Sequence, residues 1–193
     1  YNFNLNDFKM MENIEHLYFP NENISPAEEV LKWYEKNDLT CIGVRNSNNK
    51  IIASVNILPL KRNVFNDIYE NKMNEADVTY EQIEIYEDDK SYLLYLSSIS
   101  IDQKYRNNYK VITTLLKGCI NLLNILMKRN IKITLLSYKL KLHREEHRTR
   151  QRLRSGICCI RHIATKSLKD ANRAARQVFS VKLKLLNCNQ ESV

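Results

Sequence analysis

Apolar and polar positions along the chain change period several times, and each change marks an element. In "NDFKMMENIEHLYF", Phe8, Met11, Ile14 and Tyr18 recur at three- and four-residue steps, which predicts an amphipathic helix. The segment "SPAEEVLKWYEKN" opens with Ser25 as the expected N-cap and Pro26 at the first helical position. Glu28 and Glu29 then complement the positive end of the helix dipole. Two β-like runs follow, "LTCIGV" and "IIASVNIL". The intervening "RNSNNK" reads as a hairpin turn, because asparagine tolerates left-handed backbone. Residues 60–90 are acidic and less regular, with a helix expected near 64–73 and a loop at "EDDK", 87–90.

"SYLLYLSSISI", 91–101, is the strongest strand. Its first half is apolar on both faces, as in a buried central strand. Its second half alternates, with Ser98 and Ser100 on one side and Ile99 and Ile101 on the other. From Tyr109 to Asn130 the period becomes helical, and Val111, Leu115, Cys119, Leu123 and Leu126 share one broad face. Lys128 and Arg129 suit the last turn and Asn130 can stop it. "IKITLL" supplies another strand, so the segment predicts a right-handed βαβ unit.

The length of 193 residues suits one domain, or one domain with an appendage, and 44% hydrophobic content supports a core. No window is expected to reach the length of a membrane span. The acidic, non-basic start does not read as a signal peptide, and the absence of an initiator Met reads as a processed or truncated start. Five cysteines without regular spacing argue against a disulfide framework and for a reducing, cytoplasmic setting.

The net charge of +8 conceals a sharp division. Residues 1–137 carry 16 Lys and Arg against 18 Asp and Glu, whereas 138–193 carry 14 against 4. Asparagine falls from 20 to 3 across the same boundary and arginine rises from 4 to 8. The chain therefore divides into a 1–137 core and a basic 138–193 part.

The order helix, helix, hairpin, long strand, loop, helix, strand resembles the GNAT acyltransferase superfamily. The resemblance is carried by "ISIDQKYRNNYKVITTLL". The family ends its central strand in a pattern like Val-Asp-Pro-x-Tyr-Arg, followed by a Gly-x-Gly-type loop and a Leu-rich helix. Here Ile101-Asp102-Gln103-Lys104-Tyr105-Arg106 matches the first part, with Gln103 where Pro is usual, and Leu115 and Leu116 match the last. The loop glycines are replaced by Asn107, Asn108, Tyr109 and Lys110, and the loop is one residue longer. Asn107 and Asn108 are the expected substitutes, since asparagine is the best non-glycine residue at positive φ.

The resemblance implies an α/β fold, with a mixed, mostly antiparallel central sheet and helices on both faces. It also implies acetyl transfer from acetyl-CoA to an amine acceptor, without a metal. Backbone amides from Arg106 through Asn107, Asn108, Tyr109, Lys110 and Val111 to Ile112 would then hold the CoA pyrophosphate. Ser98 to Ile101 would pair with the pantetheine arm, and an amide near Ile99 or Ser100 would polarise the thioester. Arg106, Lys104 and Lys110 would add positive charge. Tyr138 is the nearest candidate acid for the leaving thiolate, and Glu81 and Glu84 could face an amine. The alternative for 98–116 is an ordinary strand-to-helix connection.

Residues 138–193 lack the family's usual closing pattern. They read as a divergent end with "VFSVKLKLL", 178–186, as last strand, as an out-of-frame segment, or as a basic extension toward an acidic partner. Few aromatics argue against nucleic acid. A missing final hairpin would expose a sheet edge and favour a homodimer. His143, His147, Cys158, Cys159 and His162 form a conceivable zinc cluster with poor spacing. Three functions follow in order: an acyltransferase, a CoA- or partner-binding relative without turnover, and a nucleic-acid-associated protein using its basic third.

Overall fold

The computed structural model describes residues 2–18, 23–138 and 160–161. Helices α1 (Leu5–Tyr18) and α2 (Ala27–Lys36) precede strands β1 (Cys41–Arg45) and β2 (Ile51–Leu60). Helix α3 (Arg62–Tyr69), β3 (Ser91–Ile101), α4 (Tyr109–Lys128) and β4 (Lys132–Tyr138) follow, with a two-residue β5 at Ile160–Arg161. The sheet runs β1-β2-β3-β4-β5. Only β3 and β4 are parallel, joined through α4 as a βαβ unit, and the other neighbours are antiparallel. The fold is mixed α/β.

Side-chain parity builds a layer on each face of this sheet. Val55, Leu94, Leu96, Ile99 and Ile101 face Leu115, Cys119 and Leu126 of α4. The opposite parity, Leu58, Leu60, Leu93 and Tyr95, meets Trp33 of α2 and Val64, Phe65 and Ile68 of α3. Phe8, Met11 and Ile14 of α1 extend that second layer over Cys41 and Ile51. A fully buried leucine in such a layer contributes roughly 2 kcal/mol. At 20 residues α4 is long and apolar enough to cross a membrane, which corrects the sequence expectation; here its buried stripe packs on the sheet.

Local sequence explains most boundaries. Asn4 and Asp7 cap α1 reciprocally, each side chain accepting the other's amide at 3.1 and 2.9 Å. The N-cap of α2 is Pro26 rather than Ser25. Pro26 has ψ 145°, outside the helical region, and its carbonyl accepts the amides of Glu29 and Val30. Helix α3 begins and ends a few residues earlier than expected. The hairpin turn uses Asn49 at φ 60°, and Asn130 stops α4 at φ 52°. After Asn130 the Ile131 amide returns to the Leu126 carbonyl, closing the helix.

Candidate functional site

The middle of β3 is where the sheet changes character. Asn56 pairs with Ser98 and Ile57 with Leu96, so Ser97 bulges opposite no partner. On the other edge, β4 pairs with Ser91 through Leu96 and, among the described residues, no further. The bulge lies directly after Leu96, whose partner Tyr138 is the last residue described in that part of the chain. Beyond it, Ser98–Ile101 has β2 as its one strand neighbour among the described residues.

Backbone alternation then decides which groups face the open edge. The Asp102 amide donates to the Ile52 carbonyl of β2 at 2.8 Å. Two-residue periodicity turns the Ser100 amide toward β2 as well, and turns Ile99 and Ile101 outward. The Ile101 carbonyl on that outer edge accepts the Tyr18 hydroxyl of α1 at 2.6 Å. Of the two amides considered for polarising a carbonyl, Ile99 is the one at the open edge. The serines face the other layer: Ser54 and Ser100 hydroxyls lie 2.9 Å apart, and Asn56 Nδ2 donates to Ser98 Oγ at 3.1 Å.

The loop after β3 is closed by short-range hydrogen bonds. Asp102 Oδ1 accepts the Lys104 amide, the Asp102 carbonyl accepts Tyr105, and the Tyr105 carbonyl accepts Asn108. Asn108 Oδ1 caps α4 by accepting the Lys110 amide at 3.0 Å. Several amides expected to form one concavity are thus engaged within the loop. Asn107 and Asn108 are not among the residues at positive φ. The turn is a 3-10 turn over Gln103–Tyr105 closed by the two side-chain caps, so left-handed backbone is not needed.

Arg106 does not extend into solvent. Its guanidinium lies 3.7 Å from the centre of the Tyr18 ring, and its Nε is buried without a hydrogen-bond partner among the described residues. Such stacking is worth about 0.5–2 kcal/mol. Burial lifts the Tyr18 hydroxyl above its ordinary pKa, although the Arg106 charge opposes this, so the hydroxyl stays a donor. Lys104, Asn107, Asn108 and Lys110 are exposed, and Tyr109 is 79% exposed at the first turn of α4. Val111, Ile99, Ser100 and Ile101 are buried, and Ile112 is half-buried.

A small cleft of about 20 Å³ opens on the α1–α2 face and reaches the sheet at Asn56 and the bulged Ser97. Glu12 and Glu15 of α1 and Glu75 line it, with Met11 and Val30 as apolar walls. Glu75 is 8% exposed and accepts the Tyr95 hydroxyl; burial and the Glu75 charge raise that hydroxyl's pKa. Asn56 is 6% exposed, and its Oδ1 has no hydrogen-bond partner among the described residues. The sequence reading passed over these residues. Its available signal was the polar Asn56 inside "IIASVNIL", which stands opposite Ser98 in the register.

The other expected residues stand apart. Glu81 and Glu84 are not among the residues that line this cleft. Glu81 is exposed, its pKa lowered by a Thr79 hydrogen bond, whereas burial raises that of Glu84. Tyr138 ends β4 with its backbone in register with Leu96, and its side chain lies outside the description. His143, His147, Cys158, Cys159, His162 and the 178–186 strand lie outside the described residues. Among the described residues no group of three His, Cys, Asp or Glu is placed to hold a metal. The chain matches no protein-family model and no curated protein sequence.

Proposed function

We propose that the chain is a GNAT-like acyltransferase that moves an acetyl group from acetyl-CoA to an amine. The observation that carries this reading is the far end of β3: a bulge at Ser97, no β4 partner past Leu96 among the described residues, and an outward Ile99 amide. An extended pantetheine arm would add to that edge as a strand adds to a sheet. The Ile99 amide is then the donor for the thioester oxygen, where a fixed donor lowers the barrier as negative charge develops. Lys104, Lys110 and the start of α4 follow directly, with the sign of charge that a pyrophosphate needs.

In this reaction the neutral amine nitrogen attacks the thioester carbonyl carbon and the C–N bond forms. The C–S bond then breaks and CoA leaves as the thiolate. An ammonium acceptor sheds two protons in all, one to the thiolate and one to solvent. Tyr138, at the end of β4, remains the proposed acid, and the expected setting is cytoplasmic. A second reading, a CoA- or partner-binding relative without turnover, is favoured by the loop amides of Lys104, Tyr105, Asn108 and Lys110 being engaged internally.

Calorimetric titration with acetyl-CoA tests the proposal. Lys110→Glu is the matched variant, because Arg106 is stacked on Tyr18 and its replacement would disturb α1. We expect micromolar binding that Lys110→Glu weakens about tenfold. Binding without thiol release across an amine panel selects the second reading. No heat from folded protein sinks the acyltransferase and the CoA-binding relative alike, and leaves the partner-binding form.

A further inference from the structure

We propose that the outward face of α4 binds the phosphate backbone of a nucleic acid. The proposal goes beyond the acyltransferase reading and does not depend on it. Charge is divided along the chain more sharply than its total suggests. All 18 Asp and Glu of residues 1–137 lie at or before Asp102, where they outnumber nine Lys and Arg. Residues 103–132, which hold α4, carry seven Lys and Arg and no acid.

Helical spacing gathers part of that charge into a stripe. Lys110, Thr114, Lys117, Asn121 and Lys128 recur at steps of four, three, four and seven, which places them on one face, and all are exposed. The opposite stripe, with Val111, Leu115, Cys119 and Leu126, is buried against the sheet, so the lysines point away from the fold. Among the described residues no ion pair holds Lys104, Lys110, Lys117 or Lys128. The acids that meet the two ends of the helix are answered locally. Asp88 pairs with Arg129 at 2.7 Å, Glu87 with Lys90 at 2.7 Å, and Asp89 accepts from the Asn130 side-chain amide. Asp102, ahead of the helix, accepts the Lys104 backbone amide.

Length and chemistry select the partner. At 1.5 Å per residue, Lys110 to Lys128 spans about 27 Å, the axial length of about eight phosphates on one strand. Lysines that neutralise phosphates release condensed counterions, so separated point charges gain affinity without an apolar anchor. Asn121, between them, carries a side-chain amide that also bonds phosphate oxygens. An anionic membrane would need apolar side chains to bury beside the lysines, and Tyr109 is the one large exposed apolar side chain on α4 among the described residues. An acidic protein segment would need a desolvated anchor pocket, which a convex helix face does not offer. Phosphate contact needs no base stacking, so the scarcity of aromatics does not count against it. The same sign continues in sequence, where 138–193 carry 14 Lys and Arg against 4 acids.

The test is fluorescence anisotropy of the full chain with a labelled random-sequence DNA duplex of about 20 base pairs, at salt from about 50 to about 200 mM. The main variant combines Lys117→Gln with Lys128→Gln, neither of which belongs to the loop proposed to hold CoA. The control combines Lys9→Gln with Lys72→Gln, removing the same charge on α1 and just after α3, where both lysines are paired with glutamates. Each neutralised phosphate contributes about −0.9 to the slope of log affinity against log salt, so the main variant should flatten that slope by about 1.8. The control should leave it unchanged. Asn121→Glu, which puts an acid on the stripe and removes no lysine, should weaken binding severalfold at low salt, and it decides alone if the main variant does not fold. An equal slope in the main variant and the unaltered chain overturns the proposal and moves the contact elsewhere, such as the basic 138–193 part. No duplex binding at low salt also overturns it, whether or not phosphatidylserine vesicles or a polyglutamate peptide bind instead.

Discussion

Asp7 keeps its charge although it is only 3% exposed, and its neighbours explain why. Burial alone would raise its carboxyl pKa. Hydrogen bonds from Arg45 and the Asn4 amide, with the Arg45 charge, outweigh burial and hold it below the ordinary carboxylate value. Arg45 grips both oxygens, Nη1 to Oδ1 at 2.7 Å and Nη2 to Oδ2 at 2.8 Å, tying α1 to the end of β1. Removing one partner of a buried pair is strongly destabilising, so Arg45→Met should cost about 3 kcal/mol in urea unfolding at neutral pH. A loss under about 0.5 kcal/mol would show the pair to be incidental. The folded pKa is depressed, so the pair's contribution is present above the unfolded value of about 3.9 and is lost as pH falls through the folded value. Asparagine is the residue whose use sequence reads least evenly. It takes positive φ at Asn49 and Asn130, as its turn chemistry suggests, yet Asn108 serves by its side chain as a cap. Composition identifies a residue that can do either, and only the surrounding hydrogen bonds select which.

At the scale of elements, periodicity made the strands, the hairpin and α4 legible, because each buries one parity or one stripe against a neighbour. What it could not expose was the cleft, which depends on Glu12, Asn56 and Glu75 meeting from three distant segments. Nor could it show that Tyr18, the last residue of α1, would bond the Ile101 carbonyl of β3. Close approach of elements was similarly hidden. A Cβ built on Gly118 of α4 would lie 2.5 Å from Ile42 Cγ2 of β1. Helix propensity alone predicts that alanine gains about 1 kcal/mol over glycine here. The contact reverses that sign, because the Ile42 methyl sits on a branched Cβ and cannot swing clear. Gly118→Ala should therefore destabilise by about 1–2 kcal/mol, and adding Ile42→Ala should restore most of the loss beyond Ile42→Ala alone. Simple additivity of the two in a double-mutant cycle would mean that α4 and β1 do not touch at this point.

Across the whole molecule one sheet serves two apolar layers, and each layer contains a buried cysteine. Cys41 lies under α1 with its Sγ 3.8 Å from Met11 Sδ, and Cys119 lies on the buried stripe of α4 on the opposite face. Burial raises both thiols, Cys119 to about 12, so neither is a thiolate at neutral pH. Their reaction with iodoacetamide must await opening of the layer that covers them. Since β2 and β3 contribute side chains to both layers, loss of one layer exposes the apolar back of the sheet that supports the other. The two cysteines should therefore be alkylated at similar slow rates, with the same steep dependence on urea, when followed by peptide mass spectrometry. Faster alkylation of Cys119 with a shallow urea dependence would instead show α4 detaching on its own. Because α4 begins at the loop proposed to hold CoA, such detachment would uncouple that loop from the β3 edge, and under that proposal acetyl-CoA should protect Cys119 more than Cys41.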